Sequence, residues 1–550
     1  MQPIEGSATL ADVIFNLDRS NKEVLFYKEG QSTKLSWKSL ASRAIKDAAR
    51  LQALGIEPND KVGLLGITSP ELLTALMGVW LTGATAVVLS LPLRIRSLEE
   101  LIDSLMSKIK TAEIKVVLIQ DDLAEFVPET KINYIKISDL QKKFGESFQA
   151  VKISPEDLAI IQFTSGSTAD PKGVMLTHEM LINHINSIVI SAEFDSDNDK
   201  VVSWLPLYHD MGLIGLFLVP MATGSDLIME SPQEFLKDPP SWLYLISENR
   251  ATATAGPNFS YALMTRVLKN NFNYDLSSLR IALNGAEPIN PDSVEAFVES
   301  GRKSNLNKGA VFPAFGMAEA TLAVTFPKPG TGLEVDSVDL DYLEANSFAK
   351  APTETALRSR RFAKLGKPIH GFEIKIVDVN SRQQLAKREV GEVLIKGNSI
   401  TPGYYNNKDA TEKLFENGWL RSGDLGYLTE DSQLVICGRI KDVIIVGGRN
   451  VYPEDIEWAV SKIDGVRPGN VIAFGEVDLR GKERVVVVAE VKESKATLKS
   501  QIASKVLDVC GVPVKDVVLL DPGSLPKTSS GKLQRAFCKE LYKAGKLTSL

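Results

Sequence analysis

Ten consecutive residues, Thr164-Ser-Gly-Ser-Thr-Ala-Asp-Pro-Lys-Gly173, gather the groups that bind phosphate. Thr164, Ser165, Ser167 and Thr168 carry hydroxyls, Lys172 supplies a point charge, and Gly166 and Gly173 let backbone N–H groups approach an anion closely. The apolar run Leu158 to Gln162 precedes the stretch and a helical pattern begins near Thr177, so the loop leaves a strand and suits a polyphosphate. It is not a Walker A loop, which needs G-x-x-x-x-G-K followed by Ser or Thr. Any four of these residues would make an ordinary turn; ten in a row after a strand are more specific. Nitrogen and sulfur metal chemistry has little to build on. Cys437, Cys510 and Cys538 are far apart with no CxxC pair, and His178, His184, His209 and His370 show neither HExxH nor zinc spacing. A metal here is expected to be oxygen-ligated, and the cysteine usage fits a reducing cytoplasm.

The elements that must hold such a loop follow from the hydrophobic rhythm. Strand-like runs alternate with helical ones from Lys61 to Ile289: Lys61 to Ile67, Lys115 to Ile119, Leu158 to Gln162, Val201 to Leu205 and Leu279 to Leu283. This predicts α/β layers, sheets covered by helices. After Gly366 the texture changes to short alternating strands, Phe372 to Val377 and Glu392 to Lys396, expected to form a small β-barrel or hairpin module. A boundary is predicted near residue 440, between Leu434 to Cys437 and the run Arg484 to Glu490.

Length and composition agree with several packed units. The chain has 550 residues, 44% hydrophobic and 24% charged, which excludes disorder and collagen-like repeats. Net charge is −6, which splits into −10 for residues 1–440 and +4 for 441–550, so no overall basic field draws nucleic acid. Leu72 to Leu93 is 22 residues without a charge and passes a membrane-span length test. Ser69-Pro70-Glu71 nevertheless reads as a helix start, Gly83 as a stop and Thr85 to Leu89 as a buried strand, so no stable membrane insertion is expected. Met1 to Arg19 lacks the layout of a secretory signal.

Further motifs continue in order along the chain: Asn284-Gly-Ala-Glu-Pro288, Phe312-Pro-Ala-Phe-Gly-Met-Ala-Glu319, Arg421-Ser-Gly-Asp424, Gly438-Arg-Ile-Lys-Asp442 and Pro526-Lys-Thr-Ser-Ser-Gly-Lys532. With the phosphate loop, they make the chain resemble the adenylate-forming superfamily of acyl-CoA ligases, luciferases and nonribosomal adenylation domains from about residue 10 to 545. The resemblance implies an α/β fold: a large N-terminal domain, residues 1–440, of two helix-flanked β-sheets plus a small β-barrel subdomain, and a small mobile α+β C-terminal domain, residues 441–550, hinged at Lys441. It also implies ATP as co-substrate, with a carboxylate attacking the α-phosphorus to give acyl-adenylate and pyrophosphate. Thr164, Ser165, Gly166, Ser167, Thr168 and Lys172 would then hold phosphates; Asn284, Gly285, Ala286, Glu287, Phe315, Gly316, Met317 and Ile436 would line the nucleotide; Asp424 and Arg439 would meet ribose or phosphate.

Each implied role has a plainer alternative. Lys532 would bridge the carboxylate and an α-phosphate oxygen in the transition state, or be a solvated surface lysine. Glu319, helped by Thr164, is the best ligand for Mg2+, which takes carboxylate and phosphate oxygens, or it caps the segment that follows. Asp424 accepts from ribose hydroxyls or is a turn aspartate, and Arg439 reaches the nucleotide or makes a surface ion pair. His209 stands at a gate beside the acyl and pantetheine paths or is a packing histidine.

Leu205-Pro-Leu-Tyr-His-Asp-Met-Gly-Leu-Ile214, Gly256-Pro-Asn-Phe-Ser-Tyr261, Phe315 to Leu322 and Gly448 to Glu457 look like fatty acyl-AMP ligases in particular. The interval from Glu319 to Gly366 is long, with the extra residues at about 334–362, and the resemblance places there an insertion that hinders the domain arrangement needed for CoA thioester formation. The partners implied are a fatty acid and a holo-acyl carrier protein or carrier domain. Alternatives are a fatty acyl-CoA synthetase and a non-catalytic acyl- or nucleotide-binding module. The basic cluster Arg358-Ser-Arg-Arg361 also reads as a solvated face.

Overall fold

A computed structural model describes residues 6–91, 98–127, 132–140, 142, 147–164, 171–270, 273–477, 482–493, 497–528 and 531–547. Two largely parallel sheets dominate residues up to about 313. The first has the order Tyr134–Lys136, Val116–Ile119, Lys61–Leu65, Thr85–Val88, Leu158–Phe163, Gly173–Thr177, with only the last pair antiparallel. The second has seven strands in the order Val311–Pro313, Ile281–Asn284, Ala253–Gly256, Lys200–Ser203, Asp226–Glu230, Glu23–Lys28, Gln31–Ser36. Parallel strands covered on both faces read as continuous apolar runs, and the alternation in the sequence becomes these two layers.

The uncharged run that begins at Leu72 is resolved by packing. Ser69 Oγ accepts from Leu72 N–H at 3.2 Å, Pro70 opens the helix Pro70–Leu81, and every residue from Leu72 to Leu81 is buried. A Cβ on Gly78 would lie 3.1 Å from Asp47 Cβ of the helix Trp37–Ala53, so glycine permits the close crossing. Trp80 is fully buried and its indole N–H donates to Ala159 O at 3.0 Å; burying such a side chain stabilises the layer by roughly 2 to 3 kcal/mol. Among the described residues, no helix is long and apolar enough to cross a membrane.

The module after Gly366 is an antiparallel sheet in which Phe372–Val377 pairs with Gly391–Gly397, and that strand with Trp419–Leu428. The far edge of Trp419–Leu428 takes Phe415–Glu416 and Leu434–Arg439 in tandem. Beyond the turn Ile440–Asp442 lies a three-stranded sheet, Val466–Val477, Glu483–Val491 and Val514–Leu520, flanked by the helices Pro453–Val460, Leu498–Cys510 and Arg535–Lys543. It has its own apolar core, and the largest core contains no residue beyond Leu434. A third cluster, with Val338, Phe362, Tyr427, Cys437 and Tyr452, joins the two. The inserted segment supplies part of it through the antiparallel pair Val335–Asp339 and Ser359–Ala363 and the helix Leu340–Asn346. All three cysteines are buried and unpaired.

Candidate active site

Thr164, His209 and the segment Asn284 to Glu287 lie at or beyond the carboxyl ends of parallel strands, where open α/β sheets leave crevices, and the remaining predicted site residues among those described lie in or beside antiparallel strands and turns. Thr164 follows Leu158–Phe163, and its N–H donates to Lys172 O at 3.2 Å, closing the loop onto Gly173–Thr177. Ser165, Gly166, Ser167 and Thr168 lie outside the described residues. Asn284 ends the strand Ile281–Asn284, and Gly285, Ala286 and Glu287 follow it. Phe315 and Gly316 form a short strand against Ala323–Phe326, and a Cβ on Gly316 would sit 2.0 Å from Leu322 O, so only glycine fits. Met317 then leads into the turn Ala318–Ala320, which carries Glu319.

Two residues here hold backbone strain. Ala286 has φ 68°, and Thr321, two residues after Glu319, has φ 68° and ψ −55°. Leu322 N–H donates to Ala320 O at 2.8 Å, which makes Thr321 the centre of a strained γ-turn. Its hydroxyl donates to Ser399 O at 2.6 Å in a fully buried setting, and such a conformation costs about 1 to 3 kcal/mol that surrounding packing must offset.

A cleft of 1990 Å³ brings these loops together with the C-terminal unit. Thr164, Lys172, His209, Gly285, Ala286 and Glu287 line it, as do Phe315, Gly316, Met317 and Glu319, and Asp424, Ile436, Arg439, Lys441 and Lys532. Asn284 is the one described residue of the predicted set that does not. It is buried behind Gly285; its Nδ2 donates to Asn258 Oδ1 at 3.3 Å, while its Oδ1 has no partner.

Charges are arranged in three groups. Glu319 Oε1 accepts from Tyr404 O–H at 2.6 Å, and Lys172 Nζ lies 5.0 Å from the centre of the Tyr404 ring, so one phenol links the carboxylate to the phosphate-loop cation. Asp424 and Arg439 are cross-strand partners, with Arg439 Nε 3.2 Å from Asp424 Oδ1. Burial pushes the Asp424 carboxyl up to about 6, and Arg439 pulls it down only partway. The third group is formed by Lys532, His209 and Asp210. The Lys532 loop is pinned by Thr528 N–H to Lys532 O at 2.8 Å and by Lys532 N–H to Thr528 Oγ1 at 3.1 Å; Ser529 and Ser530 lie outside the described residues. Lys532 Nζ stands 3.3 Å from His209 Nε2. Burial lowers the Lys532 ammonium from its usual range, Asp210 and Glu287 pull it back up, and Arg439 pushes the same way as burial. Glu287, raised chiefly by burial, accepts from Phe259 N–H at 2.8 Å.

His209 is the only histidine lining the cleft. His178 Nδ1 accepts from Leu10 N–H at 3.1 Å and His184 Nε2 from Ala323 N–H at 2.9 Å; burial lowers them to about 4 and about 3, so both serve as neutral struts. After Asp210 the chain winds as a π-helix, Met211–Leu218, a form often found at functional sites. Gly215, Leu216 and Val219 from this region add apolar lining to the cleft, as do Phe194, Ala253 and Ala255.

Lys441 sits in the turn Ile440–Asp442 at the junction of the two units. The next residue, Asp442, accepts from Arg535 Nη1 at 2.7 Å, and Arg535 also donates to Glu454 and Glu457. Of the three arginines in the basic cluster at 358–361, only Arg361 stands in solvent, and all three are paired. Arg358 pairs with Asp341 and Glu344, Arg361 with Asp292 and Glu295, and Arg360, 6% exposed, lies against the rings of Phe362, Tyr452 and Trp458 with Nε 2.8 Å from Asp455. Tyr404, Asp210, Arg360 and Glu344 were not singled out from the sequence for these contacts. Each acts through a partner far away in the chain or through a neighbour whose ring orientation only the fold defines.

Comparison with known proteins places this geometry. The family model described as AMP-binding enzyme matches residues 16–405, and one described as the AMP domain of Disco-interacting protein 2-like proteins matches 441–550. The medium-chain fatty acid acyl-carrier-protein ligase JamA of Moorena producens is 35% identical over 570 residues, covering 98% of this chain and 96% of JamA. A structure from work on fatty acyl-adenylate ligases of E. coli and L. pneumophila superposes with a TM-score of 0.92 at 31% identity over 99% of both chains. The fatty acyl-adenylate ligase of L. pneumophila in complex with acyl adenylate and pyrophosphate gives a TM-score of 0.75 at 30% identity, covering 98% of this chain and 97% of that one. With a family model over residues 16–405 and a relative 35% identical over 98% of it, the chain belongs to the AMP-binding enzyme family of adenylate-forming ligases.

Proposed function

We propose that this protein activates a fatty acid with ATP, releasing pyrophosphate, and transfers the acyl group from the acyl-adenylate to the phosphopantetheine thiol of an acyl carrier protein. The observation that carries the reading is Lys532, which the C-terminal unit delivers into a cleft lined by Lys172, Glu319, Asp424 and Arg439. Two anions, a carboxylate and the α-phosphate, must meet for adenylation. A half-buried ammonium between them stabilises the charge that develops as the oxygen attacks phosphorus, more strongly than it would in water.

The other roles follow from position. Lys172 and the loop Thr164–Thr168 hold the outgoing phosphates, and the segment Asn284–Glu287 with Phe315, Gly316, Met317 and Ile436 holds the base. Asp424 accepts from the ribose hydroxyls beside Arg439. Glu319, with the Thr164 hydroxyl, fits Mg2+, since this ion takes one or two carboxylates together with phosphate oxygens and keeps its waters; when bound it would neutralise phosphate charge. The apolar lining at Leu216, Val219 and Phe194 suits an alkyl chain. The C-terminal unit turns about Lys441 between the two half-reactions, withdrawing Lys532, a gating motion of the kind that domain hinges support. JamA, by its name, uses an acyl-carrier protein, and a carrier is favoured here over CoA because the segment 334–363 is tied to the C-terminal unit.

The test is fatty-acid-dependent exchange of pyrophosphate into ATP over carboxylates of varied length, followed by acyl transfer to holo-carrier protein or to CoA. Exchange with preferential carrier loading is expected. Robust CoA thioester formation would point instead to an acyl-CoA synthetase, and no exchange to a binding module.

A further inference from the structure

The proposed second half-reaction needs a base, because the thiolate and not the thiol is the nucleophile. The residues around His209 have the geometry of one. Asp210 Oδ1 lies 2.7 Å from His209 Nδ1. A carboxylate only accepts, so this contact assigns the ring proton to Nδ1 and leaves a lone pair on Nε2. Met211 N–H is shared between Nδ1 at 3.3 Å and Asp210 Oδ1 at 2.8 Å; the shorter bond goes to the carboxylate, and the Lys532 ammonium, which only donates, needs Nε2 as acceptor, so the proton stays on Nδ1. The lone pair on Nε2 faces Lys532 Nζ at 3.3 Å.

The place that Nζ occupies is therefore the place beside the reacting carbonyl and, at the same time, within reach of Nε2. When Lys532 withdraws, a thiol entering that space meets an acceptor already oriented by a buried carboxylate. We propose that His209, oriented by Asp210, is the general base that takes the proton of the acceptor thiol in the acyl-transfer step. The S–H proton passes to Nε2, the sulfur pair forms the C–S bond, and the acyl C–O bond breaks with its electron pair leaving on the AMP phosphate oxygen. The imidazolium is balanced by Asp210, a positioning residue, and then loses its proton to water. The charged and titratable groups that act on this pair are Lys532, which itself feels Glu287 and Arg439, and the neutral ring of His184 on the Asp210 side. One histidine thus serves both half-reactions: it holds the ammonium during adenylation and accepts a proton afterwards.

The inference rests on the functional reading above, and the experiment separates the two. Acyl transfer is followed from a preformed fatty acyl-adenylate to pantetheine, in parallel with pyrophosphate exchange, for the wild type, His209→Ala and the near-isosteric Asp210→Asn. Transfer by His209→Ala is expected to fall at least about 100-fold, further than exchange falls, and added imidazole is expected to restore transfer without restoring exchange. Asp210→Asn, whose amide donates to Nδ1 and so moves the ring proton to Nε2, should lose transfer by a similar factor. Transfer at the wild-type rate in either variant overturns the proposal. So does an equal loss of both reactions in His209→Ala that imidazole does not reverse, which would leave His209 as a support for Lys532 only. Absence of exchange in the wild type would overturn the functional reading and this inference with it.

Discussion

The C-terminal unit meets the rest of the chain along two faces that differ in kind. At the cleft the Lys532 ammonium has, among the described residues, His209 as its close partner at 3.3 Å, with the carboxylates of Asp210 and Glu287 farther off. At the second contact the segment 335–363 clasps the unit with buried charge. Glu344, 1% exposed, accepts from Arg358 and from Arg449, Arg449 also donates to Cys510 O, and Arg360 is enclosed by aromatic rings beside Asp455. One hydrogen-bond contact at Lys532 against a network of ion pairs at the clasp is what the proposed reversible delivery of Lys532 would require. In the proposed mechanism the cleft contact breaks in every cycle, and the clasp would restrain the orientations open to the unit.

Breaking the cleft contact should have the largest effect. Lys532→Ala is expected to raise the adenylation barrier by about 3 kcal/mol or more, seen as loss of pyrophosphate exchange of at least about 100-fold with nucleotide binding retained. Exchange at the wild-type rate would remove Lys532 from the mechanism. Next comes the clasp. Glu344→Gln leaves two half-buried guanidinium groups without their shared buried carboxylate and should cost about 3 kcal/mol of attachment. The expected signature is faster hydrogen exchange in Arg449–Val451 and the helix Leu498–Cys510, together with a gain of CoA thioester formation; unchanged protection would mean that the clasp does not restrain the unit.

A smaller effect tests the wall of the cleft. Tyr404→Phe removes a hydrogen bond to the Glu319 carboxylate, which is worth about 2 kcal/mol. Exchange in the variant should need more Mg2+ for half-maximal rate, and an unaltered Mg2+ requirement would separate Glu319 from the ion. The mildest is a pH effect. Because burial holds Asp424 at about 6 in the folded chain, against an ordinary value of 3.8, the folded state binds the extra proton between these values. The stabilising share of this group is therefore fully present below 3.8 and lost as pH rises through about 6. ATP binding has the opposite sign, since the ionised carboxylate is the better acceptor: affinity should rise from pH 5 to pH 7.5 in the wild type and stay flat in Asp424→Asn, as read by titration at both values.

How much of this was legible in the sequence depends on the distance over which each signal acts. The phosphate loop, the Glu319 turn and the Lys532 loop announce themselves because each is a short run of residues with few uses outside a site. The helix Pro70–Leu81 was legible from Ser69, Pro70 and Gly83, which act within one turn of the backbone. Asn284 shows the limit of motif reading: it stands in the right motif, yet its side chain lies behind the cleft. The arginines at 358–361 show the limit of composition, since a basic run looks the same whether water or Glu344, Asp455 and three aromatic rings surround it.

Taken alone, the order of residues determined the α/β layering, the change of texture after Gly366, the separate unit beyond residue 440 and the chemical inventory of phosphate loop, carboxylate and lysine. These follow from period, capping and local backbone geometry, which operate over a few residues. Tertiary structure decided what the inventory faces: Tyr404 between Glu319 and Lys172, Asp210 setting the ring proton of His209, and Lys532 set against His209 across 323 residues of chain. Hydrogen bonds and charge pairs work over about 3 to 4 Å in space, whatever the separation in sequence, so only the packed chain shows which groups they join.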